Sequence, residues 1–289
     1  MFSQFFGHYL LKNQKITAEQ FSSCMDYIKA NRVKLGLIAE NEGLLTRSQA
    51  NELNYLQMQS DKRFGDLAVE KGYLTDADVT YLLGRQGSPY LIFIQALEEG
   101  NIMTREEIDA ALASFQNSLL LSDDEMKAIQ DGNIEELLPV FMKTQDSRYT
   151  SLAALALRNI VRFVSSYIRI EKGAFVSSIN AKYIAYQHTT GDYKGFLGFA
   201  CNDDGILAVA DGYAKEEFET VDEDALDSVC EFTNCINGLY ATELSYQDIS
   251  IDMMPPEFLF DGTIDGEGEF YSLPLYVDGK RSDLIVKFD

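Results

Sequence analysis

The stretch Asp227-Ser228-Val229-Cys230-Glu231-Phe232-Thr233-Asn234-Cys235-Ile236-Asn237-Gly238 reads as one amphipathic helix. Val229, Phe232, Cys235 and Ile236 recur at helical spacing and supply an apolar side fit to bury against a sheet. Glu231 and Asn234 stand three apart, so both project from one helical face within reach of the same external atom. Asp227, four before Glu231, shares that face. An acid and an amide on the wet side of a docked helix are also the ordinary pattern of a solvated surface, so spacing alone leaves their role open. Asn237 reads as a helix-surface residue, with a second polar contact as the alternative.

Around this helix the chain alternates like strands from Ala174 onward. Val176 to Gln187 alternates broadly, and Phe196 to Cys201 and Ile206 to Ala210 are short β-rich runs. Asn202-Asp203-Asp204-Gly205 is the turn expected to join those two runs as a hairpin. From Glu216 to Glu231 there are eight acids and no lysine or arginine, and Asp222 to Asp224 suit the cap and first turn of the helix. Ile249 to Met253 returns to alternation and ends at Pro255-Pro256. Phe270 to Tyr276 and Asp283 to Phe288 complete an antiparallel set, linked by the hairpin signal Asp278-Gly279. Helix, strands, helices, strands in that order predict an α+β domain.

The first half carries a repeat. Phe6-Gly7, Leu35-Gly36 and Phe64-Gly65 recur every 29 residues (36 − 7 and 65 − 36), followed by Gln14, Gly43 and Gly72 at a constant offset. Ile16-Thr17, Leu45-Thr46 and Leu74-Thr75 come next, and a looser fourth copy shows Gly100, Met103-Thr104 and Gln116, displaced by about one residue. Each unit predicts two short helices joined at a glycine that takes the left-handed conformation, the threonine then capping the second helix. Val79, Leu82 and Leu83 give that helix its apolar stripe in the third copy. Such units bury their faces only by stacking. An all-α repeat domain is expected over 1–145 and an α+β domain over 146–289, the break falling at the polar Gln145-Asp146-Ser147. Between them Ser122 to Glu125 reads as a cap with an acidic first turn, and Pro139 as a kink or break. From Ser151 a long apolar helix begins, suited to burial on more than one side.

The net charge of −22, from 46 acids against 24 bases, argues against nucleic acid or an anionic membrane surface as partner. No apolar run reaches the roughly 18 residues of a membrane span. The first residues lack the basic region and cleavage site of a signal peptide, which predicts a cytoplasmic protein. Cys24, Cys201, Cys230 and Cys235 form no metal-like spacing and read as structural thiols. The two histidines, His8 and His188, have no triad or metal partner nearby in sequence, so no metal site is expected.

Two resemblances add to this reading. Asp227, Glu231 and Asn234 on one helix, then Gly238 and Pro255-Pro256, resemble the signature of the CheX, CheC and FliY group of chemotaxis phosphatases, nearest the single-motif CheX type. It covers about residues 148–289. The resemblance implies Glu231 and Asn234 as catalytic residues, Asp227 and Gly238 as supporting ones, and the aspartyl phosphate of a CheY-like response-regulator receiver as substrate. The Mg²⁺ belongs to the receiver, so the chain needs no cofactor of its own. CheX-type domains can also form homodimers through edge strands. In the first half, Lys34-Leu35-Gly36 with Gly43, Leu45 and Gln57, and Arg63-Phe64-Gly65 with Gly72, Leu74 and Gln86, resemble the paired motif of the N-terminal domain of type II secretion ATPases, the MshEN type. That resemblance implies Lys34, Gly36, Gln57, Arg63, Gly65 and Gln86 as a site for cyclic di-GMP; a protein-docking or sensory adaptor is the alternative. For the whole chain the alternatives to a phosphatase are a non-catalytic adaptor that binds a receiver or motility partner, and a cyclic di-GMP-responsive protein with a CheX-like output.

Overall fold

The computed structural model describes residues 1–59 and 62–289, without the side chains of residues 58 and 267. Residues 60 and 61, inside the spacer between the paired motifs, lie outside the described residues. The chain forms two compact units, one of Phe2–Gly132 and one of Asn133–Asp289 together with Met1. The division lies N-terminal to the expected break at 145, because Ile134–Phe141 packs on the helix that follows it. The polar stretch at 145–147 is instead a cap, Asp146 accepting from the Arg148 N–H at 3.0 Å.

The first unit is helical throughout its regular elements. Its helices are α1 (Phe2–Lys12), α2 (Ala18–Ala30), α3 (Leu35–Asn41), α4 (Arg47–Gln59), α5 (Phe64–Glu70), α6 (Asp76–Gly84), α7 (Pro89–Glu99), α8 (Arg105–Leu119) and α9 (Asp123–Asp131). The turn inside each pair holds one residue at positive φ: Gln14 (54°), Gly43 (70°), Gly72 (71°) and Asn101 (51°). These positions keep the 29-residue spacing through the fourth copy (72 − 43 and 101 − 72), where Asn101 rather than Gly100 takes the left-handed turn. Asparagine tolerates that conformation, so the copy is in register and only its glycine is displaced. Thr17, Thr75 and Thr104 each close a capping box with the residue three ahead. Gly36 and Gly65 serve packing. A Cβ would stand 3.1 Å from the Phe64 ring at Gly36, and 2.8 Å from Val79 Cγ1 at Gly65.

The second unit begins with α10 (Ile134–Phe141) and α11 (Ser147–Asn159), which runs on into a π turn at Ile160–Val164. Pro139 lies inside α10 without ending it. Six strands follow: β1 (Ile168–Ile170), β2 (Ala174–Gly191), β3 (Gly195–Cys201), β4 (Ile251–Met253), β5 (Glu257–Val277) and β6 (Lys280–Phe288). All are antiparallel, in the order β1-β5-β6-β3-β2-β4. A further pairing of β5 with β2 closes a ring β2-β3-β6-β5. Ile179, Ala181, Ile184, Tyr186, Phe196, Phe270 and Ile285 form a core cluster of these strands. Asp278 (φ 49°) and Gly279 (φ 82°) make the tight turn from β5 to β6.

Two helices, α12 (Leu207–Ala214) and α13 (Glu223–Ser245), lie between β3 and β4. The expected strand over Ile206–Ala210 is therefore corrected to helix. A short, wholly apolar run fits a buried strand and a buried helix equally, and Leu207 to Ala210 are all buried. Gly205 feeds this helix from a position pressed on the sheet, where a Cβ would stand 1.6 Å from the Arg281 carbonyl oxygen. The strand read at Phe270–Tyr276 is the end of β5, whose earlier residues pair with β2 from Tyr186↔Glu257 onward. The glycines and acids between Asp261 and Gly268 hide that strand, since pairing rather than side-chain propensity holds it.

Candidate functional site

Helix α13 starts at Asp222, whose side chain accepts from the Ala225 N–H at 2.9 Å, with Glu223 and Asp224 in the first turn beside the positive end of the dipole. Leu226, Val229, Phe232, Ile236, Tyr240 and Leu244 form its buried side. Phe232 stacks on Phe199 of β3 at 6.1 Å and touches Tyr213 of α12 at 4.9 Å between ring centroids. Burying that ring contributes roughly 1.5–3 kcal/mol and fixes which side of α13 faces out. Cys235, expected on the apolar side, is only half-buried.

The outward ridge carries Asp227, Glu231 and Asn234, all exposed, with half-buried Gly238 one turn further. All four expected positions thus share one ridge. A Cβ on Gly238 would lie 3.9 Å from Met253 Cε and 4.0 Å from its Sδ, so the domain's own packing does not require a glycine there.

Beneath Asn234 lies a buried amide pair. Gln187 of β2 and Asn237 of α13 are each 1% exposed, so Asn237 is not the surface residue expected from its spacing. Gln187 Nε2 donates to the backbone carbonyl of Met254 at 2.7 Å and to Asn234 Oδ1 at 2.7 Å. Asn237 Nδ2 donates to Gln187 Oε1 at 2.8 Å. The Met254 segment is held from its other side too, its N–H donating to the His188 carbonyl at 3.0 Å. Asn237 lies one turn past the motif and looked like helix surface, while Gln187 closes an apolar strand run. A polar residue ending Ile184-Ala185-Tyr186 is the one signal that could have pointed to a buried hydrogen-bonded group.

The surrounding thiols are quiet. Burial pushes Cys230 up to about 12 and Cys201 to about 11. Cys230 Sγ donates to the Glu257 carbonyl at 3.3 Å. Tyr186 is pushed up to about 12, first by burial and then by its hydrogen bond to Glu257. With thiolate scarce at neutral pH, these cysteines offer no nucleophile. Among the described residues no group of three or more His, Cys, Asp or Glu side chains could hold a metal ion. No helix among them is long and apolar enough to cross a membrane.

Residues 183–269, which contain the ridge and Gln187, match the family model described as chemotaxis phosphatase CheX. The matched residues lie inside the second unit, which is similar to the CheX family over that stretch. Among solved structures, a CheC-like superfamily protein from Shewanella sp. PV-4 shares 18% identity over 50% of this chain and 99% of its own, at a TM-score of 0.44. CheX from Desulfovibrio desulfuricans gives 14%, 48%, 96% and 0.41 in the same terms. A structure described as the CheX-CheY-BeF3-Mg complex of Borrelia burgdorferi gives 21%, 50%, 99% and 0.42. No curated protein matches the chain.

In the first unit, outside that match, the six positions of the expected nucleotide site are occupied as follows. Lys34 pairs with Glu99, and its backbone N–H donates to Gln95 at 2.8 Å. Arg63 is paired with Asp66 through two hydrogen bonds, of 3.0 and 3.2 Å. Gln86 Nε2 donates to the Val33 carbonyl at 3.0 Å, which brings it beside Lys34. Gln57 is exposed, while Gly36 and Gly65 are buried in helix contacts. A cleft of about 870 Å³ opens in this unit beside the start of α7, between Glu42, Arg85, Lys127 and Asp131, and none of the six lines it.

Proposed function

We propose that the second unit, CheX-like over residues 183–269, hydrolyses the aspartyl phosphate of a CheY-like receiver in chemotaxis or related two-component signalling. The observation that carries this reading is the ridge of α13, on which Glu231 and Asn234 stand exposed together while Asn234 is held from below by Gln187. A protruding ridge suits a protein substrate whose own active site is a cleft. An acyl phosphate is already activated, so the reaction chiefly needs a water held in line with the phosphorus. Asn234 supplies an amide able to hold that water. The water oxygen bonds to phosphorus as the bond from phosphorus to the aspartyl oxygen breaks, releasing inorganic phosphate and the carboxylate. The Mg²⁺ of the receiver neutralises the phosphoryl oxygens, and nothing is transferred onto this chain. Glu231 forms an ion pair with the receiver's active-site lysine and fixes the ridge in register. Gly238 leaves the ridge bare one turn away, where the receiver's backbone can approach.

The test is to add the protein to a receiver phosphorylated with acetyl phosphate in Mg²⁺ and follow loss of the acyl phosphate. Asn234→Ala should slow hydrolysis by on the order of 10²-fold, since an unheld water loses its alignment. Glu231→Lys should weaken binding of the receiver. Wild-type rates in both variants would sink the assignment.

A second reading, in which the first unit is an adaptor docking another protein, is favoured by one observation. Both cations of the paired motif are engaged by carboxylates, and Gly36 and Gly65 are accounted for by helix packing. Cyclic di-GMP would have to displace Glu99 and Asp66. A calorimetric titration with cyclic di-GMP separates the two: a flat trace supports the adaptor, and a binding signal abolished by Arg63→Ala supports the nucleotide site.

A further inference from the structure

The hydrogen bonds around Gln187 fix more than contact, because their direction is determined by one group that can only accept. The Met254 carbonyl has no proton to give, so the Gln187 atom facing it must be Nε2. Nε2 has two protons, and the second points at Asn234, which must therefore turn Oδ1 inward. Oε1 is then left to face Asn237, which answers with Nδ2. With Gln187 and Asn237 each 1% exposed, the hydrogen bond between these two amides is shielded from water. The arrangement leaves Asn234 with Nδ2 facing out and one lone pair of Oδ1 free.

We propose that Gln187 is a positioning residue for Asn234, selecting the amide face presented to the phosphorylated receiver; this rests on the phosphatase reading above. Asn234 reaches the reaction by donating from Nδ2, and the inward Gln187 bond both holds its rotamer and strengthens that donor by polarisation. Asn237 acts one step further back, preventing Gln187 from turning over.

The test uses the full chain. Gln187→Leu removes the inward donor and frees the Asn234 amide to rotate. Gln187→Glu, nearly isosteric, replaces the donor with a carboxylate that can only accept, and so turns Asn234 over. Against a receiver phosphorylated with acetyl phosphate in Mg²⁺, both variants should lose kcat by roughly ten- to a hundredfold, Gln187→Glu the more. KM for the receiver should stay within about twofold, because Glu231, which pairs with the receiver, and the α13 backbone are unchanged and only the orientation of the Asn234 amide is altered. In the wild type, side-chain ¹⁵N spectra should show both Gln187 Nε2 protons exchanging slowly and the Asn234 Nδ2 protons exchanging fast. Folded variants with wild-type kcat overturn the proposal. So does fast exchange of the Gln187 protons, which decides the matter even where the variants fail to fold. If wild type is inert towards every phosphorylated receiver tried, the phosphatase reading falls, while the exchange data still report whether Gln187 pins Asn234.

Discussion

Gly238→Ala separates what the fold needs from what a partner needs. Gly238 lies in the interior of α13, sixteenth of its 23 residues. Its φ is not among the positive values, so alanine meets no backbone strain. The added methyl would sit 3.9 and 4.0 Å from Met253, ordinary van der Waals contact. Replacing glycine by alanine inside a helix gains about 0.5–1 kcal/mol, chiefly by restricting the unfolded chain. For a unit of this size that raises the melting transition by roughly 1–4 °C. If the bare backbone exists to admit the receiver, the same methyl should raise KM while the protein becomes more stable. Urea unfolding monitored by circular dichroism, beside the receiver assay, reads both quantities. A destabilised variant would refute the packing argument. A stabilised variant with unchanged KM would refute the role given to Gly238 at the interface.

Phe232→Ala should cost roughly 3–5 kcal/mol in urea titration, because a fully buried ring leaves a cavity between α13, α12 and β3; a loss below about 1 kcal/mol would show the site collapsing or the ring unimportant. Gly72→Ala should destabilise the helical unit by about 1 kcal/mol through its φ of 71°, whereas Asn101→Gly, at the equivalent turn, should be neutral or stabilising in the same thermal melts. Alkaline stability carries its own sign. Cys230 is raised from 9.0 to about 12, so the unfolded chain releases its proton first. The stabilisation is full below pH 9 and is lost as pH rises towards 12, by up to about 1.4 kcal/mol per pH unit for such a group. Cys230→Ala should flatten the fall measured by urea unfolding between those limits, and an unchanged slope would assign it elsewhere.

The elements most legible in the sequence were those specified by local chemistry. Thr17, Thr75 and Thr104 announce helix starts because a capping hydroxyl bonds within three residues of itself. The spacing of Phe232 and Ile236 against Glu231 and Asn234 oriented α13 correctly, since burial follows the helical period whatever the helix packs on. Ile206–Ala210 misled because an apolar run carries no period by which to tell helix from strand. The first part of β5 was hidden for a related reason. Its glycines and acids have little strand propensity, and the segment is extended because β2 runs alongside it.

The repeated helical pairs, the α13 ridge and the placing of Asp227, Glu231, Asn234 and Gly238 along it are legible in the residue order alone, for each depends on neighbours within one or two helical turns. The packing of α13 on the sheet is what brings Gln187 beneath Asn234, 47 residues away in the chain. It also decided that Asn237 is core rather than surface, and which amide atom Asn234 turns outward. Those facts hang on the Met254 carbonyl accepting a hydrogen bond from a strand that meets it only in the folded sheet, and hydrogen-bond direction between distant residues leaves no period to read.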